Sequence, residues 1–90
     1  MQIKRIAADT NAALPVGTVI RGVALFGGSD ATSVKLYEAA TVTGTDFFAL
    51  NTPTADTREV MFPGAGKKLL TNALSVDITG TAAVAYIFYD

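Results

Sequence analysis

The chain has 90 residues, with seven Lys or Arg, eight Asp or Glu and a formal net charge of -1. It contains no Cys and no His, which excludes disulfides, the usual zinc sites, and catalysis by a histidine base or a thiol nucleophile. A net charge so close to zero provides no overall field that would attract nucleic acid or an anionic membrane.

The chain is long enough for one domain, and a domain of this size buries a limited share of its surface. Half of its residues are hydrophobic, although many of these are Ala. Because disulfides and zinc are excluded, association between copies is the remaining common source of extra stability. We therefore expect a homo-oligomer, either a trimer or a dimer.

Residues 1–15 are predicted to form an extended N-terminal arm. Polar residues 9–11 interrupt the apolar pattern, and Pro15 disfavours helix at the residue before it. The arm is either a loose or edge-strand terminus or a segment that docks on a neighbour. Its first candidates for partner contact are Ile3, Lys4, Arg5 and Ile6.

Residues 16–90 are predicted to form a single β-sandwich domain, which begins with a central strand over residues 18–26. This segment is rich in β-branched and aromatic residues, and neither of its faces is clearly polar. Gly22 indicates a bulge or the close approach of another backbone, and Arg21 is a further candidate for partner contact. The glycine-rich residues 27–30 are predicted to be a turn, since they lack the spacing of a phosphate-binding loop.

The middle of the chain predicts further short strands. In residues 33–40, Val34 and Leu36 should point inward, with Lys35 and Tyr37 outward. A turn through Gly44 leads to a strand at residues 46–50, which we expect to pair with the preceding one. A polar connection follows over residues 51–57, then a strand over 58–62. Residues 67–72 read as an irregular approach to the last strands, and this loop supplies two more candidate contacts, Lys67 and Lys68.

The C-terminal segment predicts a hairpin with strands at residues 74–79 and 84–89. The first strand alternates apolar and polar residues, whereas the second is apolar on both faces and needs cover on both. That cover could come from a second sheet together with either a neighbouring protein or the rest of the chain. Residues 18–26 likewise have no clearly polar face. We therefore expect the two strands to lie together at the centre of the fold, with partner contacts in the arm and loops.

These elements predict an all-β protein, a small antiparallel β-sandwich, jelly-roll-like or Ig-like, of six to eight short strands. The strand pattern in the sequence does not distinguish a sandwich from a barrel. No apolar run has the length of a signal sequence or a membrane helix, so synthesis in the cytoplasm is expected.

Few residues offer chemistry. The pairs Glu38 with Glu59 and Asp46 with Asp77 are formally able to hydrolyse glycosides, but surface carboxylates are ordinarily solubilising. Calcium would need oxygen ligands grouped in one loop, whereas the aspartates are dispersed along the chain: Asp30, Asp46, Asp56 and Asp77. The sequence thus predicts no catalytic residue, no metal site, no cofactor and no small-molecule substrate.

Three parts of the chain form one recognisable plan: the strand at residues 19–26, the run 34–37 followed by a Thr/Gly turn, and residues 74–81 with a closing aromatic strand. This plan resembles that of small all-β structural proteins of tailed phages. Some members of that group are capsid decoration or cement proteins, and others are head or tail accessory proteins. The resemblance covers residues 18–90 and implies a non-enzymatic virion protein that binds the major capsid protein or other virion subunits and stabilises the particle. The alternative is a small carbohydrate- or cell-surface-binding module that uses Tyr37, Tyr86 or Tyr89 for stacking.

Overall fold

Strands provide the regular structure of this protein. The computed structural model describes residues 1–53 and 56–90, and within them it has nine strands. In chain order they are β1 (Gln2–Ile6), β2 (Thr10–Leu14), β3 (Val19–Phe26), β4 (Thr32–Glu38), β5 (Phe48–Thr52), β6 (Thr57–Met61), β7 (Lys67–Lys68), β8 (Leu74–Thr79) and β9 (Val84–Tyr89). The predicted polar connection at 51–57 includes Thr54 and Ala55, which lie outside the described residues. Across the described ranges, no helix is long and apolar enough to cross a membrane.

The strands form two antiparallel sheets that pack as a sandwich. Sheet A has the order β1-β9-β3-β6, with the short β7 also paired to β3, and sheet B has the order β2-β8-β4-β5. Strands from the two ends of the chain thus pair with each other and with strands from the middle. This is the connectivity of a jelly roll. It confirms the predicted all-β sandwich, with jelly-roll rather than Ig-like strand order, but the nine strands of the described residues exceed the six to eight predicted because the first fifteen residues supply two of them.

The core lies between the two sheets and is made of aliphatic side chains from alternate strand positions. Val34 and Leu36 point inward as predicted, and both are fully buried. The other fully buried aliphatic residues of the strands are Ile20, Val23, Leu25, Leu74, Val76, Ala85 and Ile87. Apolar burial of this kind is the main source of stability in a chain without disulfides.

The first fifteen residues are extended but do not stand apart from the sandwich. They form β1, which pairs with β9 in sheet A, and β2, which pairs with β8 in sheet B. Ile6 is 2% exposed and Leu14 is 5% exposed. These two core side chains hold the segment in place, so it supplies one edge strand to each sheet instead of a separate arm.

The C-terminal hairpin prediction was wrong, because β8 and β9 belong to different sheets. The connection between them turns at Gly80, whose φ is +121°. Asp30 fixes this turn, since its carboxylate accepts hydrogen bonds from the backbone N–H and the hydroxyl of Thr81. After this turn the chain crosses from sheet B to sheet A, where β9 pairs with β3. The prediction that these two strands lie together at the centre is confirmed.

Gly22 has both of the roles predicted for it. The β3–β9 register shifts between Ile20 and Gly22, which marks an irregularity at this point. A Cβ atom at Gly22 would lie 2.8 Å from the backbone oxygen of Val60 on β6. A larger residue would push β6 away from β3.

The outer side of sheet B is partly covered, which the alternation of polar and apolar residues did not predict. Tyr37 and Ser75 face each other across β4 and β8, yet they are 8% and 0% exposed. The Ser75 hydroxyl accepts a hydrogen bond from the backbone N–H of Ala12 and donates one to the carbonyl of Ala39. These contacts bring β2 and the connection after β4 against this part of the sheet.

Candidate functional site

The outer face of sheet A is apolar and exposed. Successive residues of a strand point to opposite sides of the sheet, and the inward residues of β3 and β9 are those in the core. The outward positions on the four long strands are Ile3, Arg5, Gly22, Ala24, Phe26, Thr57, Glu59, Met61, Val84, Tyr86 and Phe88. This set is called the outer face below. Ile3 is 60% exposed, Met61 47% and Phe26 45%, values that are high for side chains of this size.

The outer face is filled by packed side chains. The rings of Phe26 and Tyr86 pack edge to face with centroids 5.3 Å apart, and Ala24, which lies on the same strand as Phe26 and pairs with Tyr86, is only 4% exposed. The Met61 sulfur lies against the position that a Cβ of Gly22 would occupy. Bulky side chains thus cover the small residues of β3, so the outer face is a continuous apolar layer of packed side chains, called the closed layer below.

Two opposite charges stand at the edges of this layer. Arg5 on β1 pairs with Tyr86, which pairs with Ala24, which in turn pairs with Glu59 on β6. Both charged side chains are exposed. Within the residues that the structure describes, neither takes part in a salt bridge.

A second apolar surface lies at the edge of the sandwich where β5 and β6 meet. It is an open groove of about 390 Å³, lined by Phe47, Phe48, Phe62, Pro63, Gly66 and Lys67. It is called the aromatic groove below. The rings of Phe48 and Phe62 pack edge to face at 5.0 Å, and the Lys67 ammonium lies 5.5 Å from the centre of the Phe47 ring, within the range of a cation–π contact.

Glu38 holds one side of the aromatic groove together. Its carboxylate accepts hydrogen bonds from the backbone N–H groups of Thr71 at 2.8 Å and Leu70 at 2.7 Å, and it forms a salt bridge with Lys67 at 2.9 Å. The hydrogen bonds from Thr71 and Lys67 are the main reasons that the pKa of Glu38 falls from 4.5 to about 2, against the opposing effect of burial. The ionised carboxylate therefore ties β4 to the segment that follows β7.

The predicted contact residues of the N-terminal segment separate into two groups. Ile3 and Arg5 lie on the outer face. Lys4 is exposed on the opposite side of β1, in register with Ile87. Ile6 was expected to contact a partner, but it is buried in the core because it faces sheet B, so it is not part of any surface.

The remaining predicted contact residues are Arg21, Lys67 and Lys68, and two of them are already engaged within the chain. Arg21 forms a salt bridge with Asp90 and donates a hydrogen bond to the carbonyl of Ala65. Lys67 binds Glu38 as described above. Lys68 is exposed on the short strand β7, in register with Val19.

The three tyrosines differ in their access to a ligand. Tyr37 is buried, so it cannot stack on a sugar. Tyr86 is half-buried on the outer face, and the Tyr89 hydroxyl donates a hydrogen bond to the side-chain oxygen of Gln2. The aromatic residues of the groove are all Phe, which supply no hydrogen bond for sugar hydroxyls.

Several carboxylates take part in local structure. Asp77 lies close to Asp9, and burial together with this neighbour raises the pKa of Asp77. Asp9 itself accepts a hydrogen bond from the backbone N–H of Ile78. No cluster of three or more His, Cys, Asp or Glu side chains suited to a metal ion occurs in residues 1–53 and 56–90.

Sequence reasoning missed most of the outer face and the whole aromatic groove. Period-two alternation in residues 84–89 predicts that the outward aromatic residues of β9 share one face. The local sequence does not indicate that Met61 and Phe26 lie beside them. Comparisons of the chain with protein-family models, with curated proteins and with solved structures found no match. The resemblance to phage structural proteins rests on the strand plan and composition given above.

Proposed function

We propose that this chain is a non-enzymatic structural protein of a virus particle, where it binds assembled capsid subunits and stabilises the shell as a decoration or cement protein. The observation that carries the proposal is the pair of exposed apolar surfaces, the outer face and the aromatic groove. A protein that bridges neighbours needs two separate binding surfaces. The jelly-roll connectivity is compatible with this role, since the fold is common in viral capsid domains, although it also occurs in lectins.

The aromatic groove is the surface proposed to contact the capsid. An apolar side chain of a capsid subunit would fill the space between the Phe rings. Lys68 follows the groove-lining Lys67 in the chain and, unlike Lys67, has no salt bridge among the described residues, so it is available to a carboxylate of a capsid subunit that extends past the groove. Individually such contacts are weak, and repetition over a symmetric shell makes the attachment strong through avidity.

Co-sedimentation with assembled shells of the virus that encodes the chain tests the proposal. We expect the protein to pellet with the shells and to saturate at a fixed ratio to the major capsid protein. Lys68→Glu should weaken this binding, whereas Lys4→Glu, the same charge change at the opposite edge of the sandwich, should leave it unchanged. The folded state of both variants is checked by thermal unfolding.

The outcomes separate the alternatives. Failure to bind any shell or other virion part, with no copies of the chain in purified virions, would refute the proposal. Loss of binding in Lys4→Glu but not in Lys68→Glu would move the contact to the N-terminal segment. Binding to immobilised glycans in place of shells would favour the carbohydrate-binding alternative.

A further inference from the structure

The outer face of sheet A carries charged and apolar side chains in symmetric positions about the line between β9 and β3. We propose that a second copy of this chain packs on the outer face, in a two-fold symmetric dimer whose axis runs along the strands, between β9 and β3. The first copy's β1 then lies over β6 of the second, and its β9 lies over β3 of the second. This inference concerns a different surface from the aromatic groove and does not depend on the proposed role in a virion.

The edge charges provide the first argument. Arg5 and Glu59 lie in one cross-strand row, each on the strand next to the central pair, so both are equally far from the line between β9 and β3. Three strand spacings separate them, roughly 14 Å, which is too far for an ion pair within one chain. Rotation by 180° about that line places Arg5 of each copy opposite Glu59 of the other. One contact therefore generates two ion pairs.

The apolar edge residues provide the second argument. Ile3 pairs with Phe88, which pairs with Gly22, which pairs with Met61. Ile3 and Met61 are thus placed in the same symmetric way as the two charges, and they are the most exposed apolar side chains of the outer face. The same rotation brings them into contact across the interface. Apolar residues meet apolar residues and the cation meets the anion, as an isologous interface requires.

The shape of the outer face provides the third argument. The outer face is a closed layer of packed side chains, so two copies can stack on it about 10 Å apart, the spacing of two packed sheets. The rotation sets the aromatic row of β9 over β3, whose outward residues in the same rows are Gly22 and Ala24. Because bulky neighbours already cover these two small residues, each copy presents its closed layer to the other.

The area of the interface sets the expected strength. Four strands about 4.8 Å apart, with about five residues each at 3.4 Å, give a face of roughly 19 by 17 Å. Two such faces, with side-chain relief included, bury on the order of 1,000 Å² in total, near the lower limit for a specific interface. The dimer is therefore expected to dissociate on dilution, and its mass must be measured over a range of concentrations.

Sedimentation equilibrium of the full chain, from about 1 µM to about 1 mM, tests the dimer. The wild-type protein should pass from monomer to dimer within this range. Arg5→Glu and Glu59→Arg each replace two attractive pairs by two repulsive ones and should weaken the dimer about tenfold. The double variant restores opposite charges and should return to within about threefold of the wild type. Lys4→Glu makes the same kind of charge reversal on the other side of β1 and should have no effect.

A monomer throughout this range would overturn the proposal, and so would a trimer. A dimer whose strength is unchanged by Arg5→Glu and by Glu59→Arg would also overturn it, because the two copies would then meet elsewhere. If both single variants weaken the dimer but the double variant does not recover, the two residues do not face each other and the proposed axis is wrong. Circular dichroism and thermal unfolding show that each variant is folded before its mass is interpreted.

Discussion

Arg5 and Glu59 occupy the same cross-strand row of sheet A, one on each edge strand, with Tyr86 and Ala24 between them. Arg5 is near the start of the chain and Glu59 is past its middle. They share a row because β9 and β3, the two central strands of the sheet, lie between their strands. The row combines an apolar centre with opposite charges at its two ends. A face of this kind matches its own copy after a half-turn, and this relation is the basis of the proposed dimer.

Removal of the Ser75 hydroxyl should destabilise the protein, because it bridges Ala12 on β2 and Ala39 after β4 in a buried position. We expect Ser75→Ala to lower the free energy of unfolding by about 1–3 kcal/mol, since an N–H and a carbonyl lose their shared partner. Urea unfolding measures the change. Ser33→Ala, at a half-buried serine of β4, is the control and should stay within about 0.5 kcal/mol of the wild type. Equal effects of the two substitutions would contradict the bridging role of Ser75.

Thr32 and Thr52 should respond in opposite directions to replacement by Val. Each is 3% exposed, but the Thr32 hydroxyl has no hydrogen-bond partner among the described residues, whereas the Thr52 hydroxyl donates to the carbonyl of Pro53 at 2.7 Å. Thr32→Val removes an unsatisfied polar atom and should raise the free energy of unfolding by about 1 kcal/mol. Thr52→Val should lower it by about the same amount. Chemical denaturation of both variants checks the signs, and a loss of stability in Thr32→Val would show that its hydroxyl is satisfied.

The stability of the protein should depend on Glu38 in a pH range set by its lowered pKa. The carboxyl titrates near 4.5 when unfolded and near 2 when folded, so its contribution is fully present above about pH 5 and is lost as the pH falls toward 2. Because solvent screens part of the interaction, we expect Glu38→Gln to lower the free energy of unfolding at pH 7 by about 1–2 kcal/mol. Denaturant unfolding from pH 7 to pH 2 should show this difference shrinking with acid. A difference that stays constant with pH would contradict the assignment.

Asp77 should have the opposite effect on stability. Burial and the neighbouring Asp9 raise the pKa of Asp77, so the folded state binds its proton more tightly than the unfolded state does. The ionised form is therefore destabilising at neutral pH, and this penalty disappears as the pH falls through the raised pKa. Asp77→Asn should increase the free energy of unfolding at pH 7, with a gain that fades in acid. Asp46→Asn, which also removes one carboxylate, is the control, and an equal gain there would point to net charge instead of this pair.

The sequence predicts the properties of individual strands well because these are local. The inward positions Val34 and Leu36 follow from alternation, and the close approach at Gly22 follows from a glycine inside a strand. Which strands lie side by side is a different question, since it depends on pairing between residues far apart in the chain. The hairpin expected at Gly80 failed for this reason, because turn residues alone do not distinguish a hairpin from a crossing between sheets.

The candidate surfaces show the same difference between local properties, which the sequence predicts, and long-range pairing, which it does not. Ile3 and Arg5 could be selected from the sequence as an apolar and a charged residue in a segment without a clear internal role. Their counterparts Met61 and Glu59 could not, because only the order β1-β9-β3-β6 places them in the same rows. The aromatic groove likewise joins Phe47 and Phe48 to Phe62 through contact between the edges of two sheets.

Site-directed crosslinking tests the central claim, the two-fold packing of the outer face, most directly. The chain has no native Cys, so Ile3→Cys and Met61→Cys each introduce a single thiol. Within one sheet these positions are roughly 14 Å apart, and each is at least that far from its own symmetry copy in the proposed dimer, which lies across the axis in the facing sheet. A bismaleimide too short to span that distance should therefore give covalent dimers only when the two variants are mixed, as a heterodimer identified by mass spectrometry. Efficient crosslinking of Ile3→Cys to itself, or no covalent dimer in the mixture, would contradict the account.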